Sequence, residues 1–395
     1  MSMLRLAGLA LVCIACTTPT TTISTSFSWQ SLGTQPLDVN IEKGAGLPSL
    51  ALDSSGNPTV AWYEGYGSSF NIYVKHWDGN TWNLVGNTFL NDETNQSTSS
   101  PSLALDSSGN PTVAWYGLDG KSYNIYVKRW DGNTWNSIGS PFGNYTPSLA
   151  LDSNGNPTVA TTAFDIPSGR VFIYVSRWNG SAWNLIGSTF LNVDKNKSAS
   201  HPSLVLDKSG NPTLAWFESN SDETSANVYV KHWDGSNWSL IGDKAIDINI
   251  NKDAYNPSLA FDINGNLVVA WQEYDNVSGN IYVKRWNGSS WNFFGSALDI
   301  NINKIAYVPS LALDSSGNPT VGWIEADGVS TNAYVKHWDG ATWNLVGTTF
   351  LDVNNDKDAY TLSLVLNSAG KPTVTWQESD GVSRNVYVKR YSVTP

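Results

Sequence analysis

Cysteine is nearly absent. Cys13 and Cys16 are the only two in 395 residues, so no disulfide braces anything beyond the first sixteen positions. Charge is sparse as well: Asp, Glu, Lys and Arg make up 14% of the chain, against about 25% in ordinary soluble domains. Cations are the scarcer sign, with 23 Lys and Arg against 34 Asp and Glu and a net charge of −11. A protein that displaces counterions from nucleic acid needs clustered Lys and Arg, so nucleic acid is excluded as a partner. The apolar run from Leu6 to Val12 is too short to span a bilayer.

What is present is Gly (33), Pro (17) and Trp (19), the composition of a turn-rich all-β protein with large side chains to bury. Arg5, the apolar stretch and the small residues that follow read as an export signal over residues 1–16. The run Leu11-Val12-Cys13-Ile14-Ala15-Cys16 resembles a bacterial lipobox, with Cys13 where an aliphatic residue is usual. That resemblance implies lipidation at Cys16 and a location at the cell envelope, with the membrane touched only through the lipid. Residues 17–26 are almost all Thr and Ser and read as a tether.

The segment Pro48-Ser49-Leu50-Ala51-Leu52-Asp53 returns with small changes at Ser102, Ser148, Ser203, Ser258, Ser310 and Ser363. Spacings of 46 to 55 residues are the size of a four-stranded propeller blade. The first copy divides into strand-like runs a to d, from Ser49 to Asp53, Pro58 to Glu64, Asn71 to Trp77 and Trp82 to Gly86. The a–b and c–d turns are short and constant in length, whereas the b–c and d–a connections vary, which puts variability on one face. The seventh copy lacks a Trp-Asn-Leu-Val-Gly strand, and Trp29-Gln30-Ser31-Leu32-Gly33 matches it. The expected fold is therefore all-β: one seven-bladed propeller over residues 27–395, closed by the N-terminal strand completing the last blade.

All 19 Trp fall at repeat positions on strands b, c and d, which favours packing between blades over a unique site. Strand b often ends in Trp-x-Glu, giving Glu64, Glu218, Glu273, Glu325 and Glu378. Strand c carries Lys75, Lys128, Lys231, Lys284, Lys336 and Lys389. Blade 3 lacks the whole set, with Thr161, Ala163 and Ser176 in place of Trp, Glu and Lys, and blade 2 has Gly117 in place of Glu. The charges read either as cross-strand ion pairs or as polar ligand pockets between blades.

No nucleophile, carboxylate pair or metal cluster stands apart from the repeat, so neither catalysis nor a cofactor or metal is expected. His76, His232 and His337 share one strand-c position on three blades and cannot converge on a zinc ion. The d–a loops repeat a Leu-Asp-Val-Asn theme, but a following Lys competes with any Ca²⁺ for the carboxylates. The turn Trp77-Asp78-Gly79-Asn80-Thr81-Trp82 resembles the Asp-box of sialidase-type propellers, which implies a structural hairpin. The Trp, Lys and Glu pattern resembles the repeats of fucose-type lectin propellers, which implies sugar pockets between blades.

Just before strand a, Tyr145, Tyr255, Tyr307 and Tyr360 share a position held elsewhere by Gly46, Ser99 and Ser200. On the variable face they read as a binding surface near the channel mouth or as packing beneath the loops. The expected function is a monomeric, non-catalytic surface module that recognises a glycan or an envelope protein through its long-loop face. Its ligand residues would be these Tyr together with Glu64, Glu218, Glu273, Glu325, Glu378, Lys75, Lys231, Lys284, Lys336 and Lys389. The alternatives are a sialidase- or glycosidase-like hydrolase and a structural scaffold of the cell envelope.

Overall fold

The computed structural model describes residues 26–67, 69–86, 88–91, 97–120, 122–187, 189–219, 226–275, 277–354 and 356–393. The signal, most of the tether and the lipidation expected at Cys16 lie outside them. The described residues form seven antiparallel sheets of four strands each. In blade 1 the strands are Gly44–Leu52, Pro58–Tyr66, Ser69–Trp77 and Trp82–Leu84. Blade 7 takes its outer strand, Phe27–Ser31, from the start of the chain, with Trp29 opposite Tyr391 just as Trp82 stands opposite Trp77.

Local chemistry explains the strand ends. Pro58 opens its strand, where no backbone N–H is needed. The preceding turn is pinned by Asp53 Oδ1, which accepts the Ser55 and Asn57 N–H groups, and by Gly56 at φ +81°. In the c–d turn, Asp78 Oδ1 accepts the Asn80 and Thr81 N–H groups. These bonds hold the Asp78 carboxyl down to about 2, and Asp131 and Asp339 behave alike. The c–d turn is thus held closed by its own Asp side chain.

Blades adhere through buried clusters that straddle each junction; one joins Val60, Trp62 and Tyr73 of blade 1 to Val386 and Val388 of blade 7. The six strand-b Trp are fully buried. Two circles of side-chain hydrogen bonds reinforce this packing. Near the axis each repeat Ser accepts, on Oγ, a backbone N–H from the next blade, from Leu103 onto Ser49 round to Leu50 onto Ser363. At the rim every strand-d Trp donates its indole N–H to a carbonyl of the preceding blade, including Trp82 to Leu32 and Trp29 to Val346. Both circles pass through the N-terminal strand's blade without a break.

Candidate functional site: the channel mouth

Strand a is innermost, and its entrance is irregular. In blades 1 to 6 the a–b pairing shifts just before the repeat Ser, for example between Gly46 and Ser49. Two residues on strand a then oppose one on strand b, which is a β-bulge. The first of the two is Leu47, Ser100, Thr146, His201, Asn256 or Val308, and each holds a positive φ between 36° and 54°. Pro follows all six. Such a conformation costs a non-glycine residue about 1–3 kcal/mol, and the surrounding sheet must supply it. In blade 7 Leu362 replaces the Pro, the bulge lies one residue earlier, and Thr361 takes the equivalent place.

These seven residues, with the Pro or Leu that follows each and with Ser49, Ser102, Ser148 and Ser363, line a central cavity of about 390 Å³. The Ser circle is invariant; the bulge residue is Leu, Ser, Thr, His, Asn, Val or Thr according to the blade. One position per blade therefore lines the axis and is free of the repeat, and in six of the seven blades it is held on a strained backbone. His201 is its one titratable member. Water reaches the imidazole along the channel, yet protein surrounds it, and this desolvation lowers its pKa. Its Nδ1 is 2.8 Å from Ser200 Oγ and its ring stacks on Phe217 at 5.4 Å.

The four Tyr stand one residue earlier and are half-buried between blades rather than in the channel wall. Tyr145 meets Tyr116 and Tyr123, Tyr255 meets Phe217 and Tyr274, and the Arg384 guanidinium lies 4.3 Å over Tyr360. Burial raises the Tyr307 pKa. Where strand a is small at this position, its strand-b partner is aromatic: Gly46 faces Tyr63, Ser99 faces Tyr116 and Ser200 faces Phe217. Where strand a brings Tyr, the partner is Thr162, Gln272 or Ile324. Each blade thus supplies one aromatic side chain beside the channel mouth, from one strand or the other, and Tyr63, Tyr116 and Phe217 escape a reading confined to strand a.

The Glu and Lys residues do other work. Register sets Glu64 opposite Asn71 and Lys75 opposite Val60, so the two are not cross-strand partners. Glu64 instead accepts the backbone N–H groups of Val39 and Asn40 and the Trp62 indole N–H. Glu218, Glu273, Glu325 and Glu378 make the same three contacts in their blades. Lys75, Lys231, Lys284, Lys336 and Lys389 each donate to the carbonyl of the loop's leading Leu or Ile and lie 5.2–5.9 Å over the strand-b Trp. Desolvation lowers their pKa values. Together, Trp, Glu and Lys clamp the d–a loop from below.

The loop Asp residues are buried too. Asp38, Asp352, Asp247 and Asp299 each accept a backbone N–H from strand c of the preceding blade. Burial pushes Asp38 and Asp352 up to about 8 and Asp247 and Asp299 up to about 7. No group of three or more potential metal ligands occurs among the described residues.

No family model matches the chain, and no curated protein matches it in sequence. Its fold is nevertheless shared with solved structures. A Dyadobacter fermentans protein described as of unknown function superposes with a TM-score of 0.54 at 11% identity, covering 93% of this chain and 99% of that one. A Penicillium chrysogenum α-L-arabinanase, solved with arabinobiose, gives 0.50 at 14% identity over 74% and 92% of the two chains. A prolyl endopeptidase gives 0.52 at 9% identity, over 89% of this chain and half of that one.

The expectation that the protein is no enzyme is therefore corrected. It rested on finding no reactive residue apart from the repeat, yet the arabinanase shares this fold and is a hydrolase. Physically, a ring of blades brings one repeat position from every blade to a common axis. A site then arises from substitutions within the repeat, as at the bulge position, and leaves no separate motif.

Proposed function

We propose that this protein acts on glycans at its channel mouth, as a propeller of the glycoside-hydrolase kind. The observation that carries the reading is the bulge position: seven axis-lining residues, six of them on a strained backbone, that vary among otherwise repeated blades. Ser100, Thr146, His201, Asn256 and Thr361 offer hydroxyl, imidazole and amide groups suited to sugar hydroxyls, and the half-buried aromatics flank them. His201 is the acid–base group of the site. With Nδ1 engaged by Ser200, its Nε2 is the nitrogen left for the substrate, and its lowered pKa keeps it neutral and proton-accepting at pH 7. The arabinobiose-bound fold neighbour supports an arabinan as the first substrate to try. Cys16 tethers the monomer to the envelope, where polymeric glycans are met.

Release of reducing ends from linear arabinan and a panel of other polysaccharides tests the reading. Hydrolysis that falls at least about tenfold in His201→Ala, and whose pH profile loses its acid limb, supports it. The absence both of hydrolysis and of retardation in polysaccharide affinity gels overturns it.

A further inference from the structure

On the face opposite the long loops, one strand-c position alternates between two residues, and the alternation decides how each blade junction is filled. Arg129, Arg177, Arg285 and Arg390 reach across to the next blade and donate Nη2 to the carbonyl of the Gly in its a–b turn, at Gly155, Gly210, Gly317 and Gly56. Three of them also donate Nε to a Thr on strand b of their own blade, at 3.0–3.3 Å. Arg285 stacks 4.7 Å over Phe294, with Asp262 at 3.8 Å from its Nη2. The four junctions together show what a guanidinium meets here: a Gly carbonyl at all four, a Thr hydroxyl at three, and at Arg285 a carboxylate and an apolar wall.

Blades 1, 4 and 6 carry His76, His232 and His337 at that position. Each His meets the Thr through Nδ1, at 2.8–2.9 Å, and holds Nε2 3.8–4.0 Å from its blade's turn Asp. The shorter side chain stops there. Between blades 4 and 5 a cavity of about 410 Å³ results, lined by His232, Asp207, Asp262, Gly265, Phe261 and Trp286. Between blades 6 and 7 one of about 430 Å³ is lined by His337, Asp314, Asn344, Gly370, Lys371 and Tyr391. The nearby ammonium groups are already engaged, Lys208 by the Ile263 carbonyl and Lys371 over the Phe27 ring at 4.4 Å.

We infer that the two His-bearing junctions that hold a cavity, 4–5 and 6–7, are binding sites for an alkylguanidinium group, such as an arginine side chain supplied from outside. The ligand takes the place the protein's own Arg takes at the other four junctions, donating to the Gly carbonyl and lying against the aromatic wall beside the Asp. The 4–5 junction, with two carboxylates and two aromatic rings, binds the more tightly.

Calorimetric titration of the folded chain with N-acetyl-arginine amide, with N-acetyl-lysine amide as control, tests this. The triple variant His76→Arg, His232→Arg, His337→Arg fills every slot with a residue the fold already accommodates. The expected result is saturable binding of the arginine compound, weakened at least about tenfold for the lysine compound and for the triple variant, as loss of one or two charge-assisted hydrogen bonds implies. A Gly-Arg-Gly peptide that binds at least as well as the amide points to a polypeptide source, and weaker peptide binding to a free alkylguanidinium. Equal affinity for the two amides, no saturable binding, or a titration unchanged in the triple variant would overturn the inference.

Discussion

Blades 3 and 4 are neighbours with the same hairpins and opposite loop chemistry. Before blade 4 the chain makes a long loop whose Val193 and Asp194 N–H groups bond Glu218, while Lys231 holds the Leu191 carbonyl. Before blade 3 the connection is short: Phe142 bridges directly to Ile125, and Thr161 Oγ1 bonds the Tyr145 carbonyl. The Trp, Glu and Lys side chains vanish together with the loop they hold. The difference teaches that this buried polar trio is bought by a loop, and that it serves no purpose where the loop is missing.

Removing the clamp where its loop exists has the largest expected effect. Glu218→Ala strands two backbone N–H groups and an indole N–H, and equilibrium denaturation should lose about 3 kcal/mol. Installing the carboxylate where the loop is missing comes next: Ala163→Glu in blade 3 finds no loop N–H groups and should cost about 1–3 kcal/mol. A stabilised Ala163→Glu protein would sever the link between Glu and loop. The loop Asp residues give a third contrast, because blade 3 has none. The Asp352 pKa of about 8 lies above its unfolded value, so the folded state binds more protons. Its contribution is full in acid and is lost as pH rises through about 8. Asp352→Asn should therefore flatten the fall in melting temperature between about pH 5 and pH 9 by about 2 °C or more, and an unchanged slope would rule Asp352 out as its source.

Blade 2 sharpens the comparison with the smallest effect. Gly117 replaces Glu there, and the buried Trp115 indole N–H has no hydrogen-bond partner among the described residues. A Cβ at Gly117 would meet Thr98 Cγ2 at 3.2 Å and Tyr126 at 3.3 Å, whereas Glu64 in blade 1 pairs with Ala45. Thr98→Ala with Gly117→Glu restores the blade 1 pair. Measured against Thr98→Ala alone, it should gain about 0.5–1 kcal/mol.

The architecture was legible because spacing, turns and the split last blade all repeat, and hydrogen bonding follows those repeats. The candidate site was not, for a reason seen at Tyr255 and Asn256. Variation between blades just before strand a picks Tyr255 as the residue to watch, but the bulge inserts an extra residue and turns Asn256 to the axis. A backbone irregularity of that kind has no composition of its own beyond the Pro that follows. The Glu and Lys positions misled differently: both lie on adjacent strands, and only register shows Glu64 and Lys75 to be displaced along them. Their shared target, the loop backbone, carries no side-chain signature.

The pairing of Phe27 with Val393 brings the first and last strand residues of the propeller side by side on the outer edge of blade 7. The order in which the blades are read along the chain is consequently a convention of synthesis rather than of structure. A short peptide link between these ends, with a new opening in an exposed c–d turn such as Asp78-Gly79, would give a circular permutant with the same circles of hydrogen bonds. The seam would move to another blade while the axis and the side chains around it stayed in place.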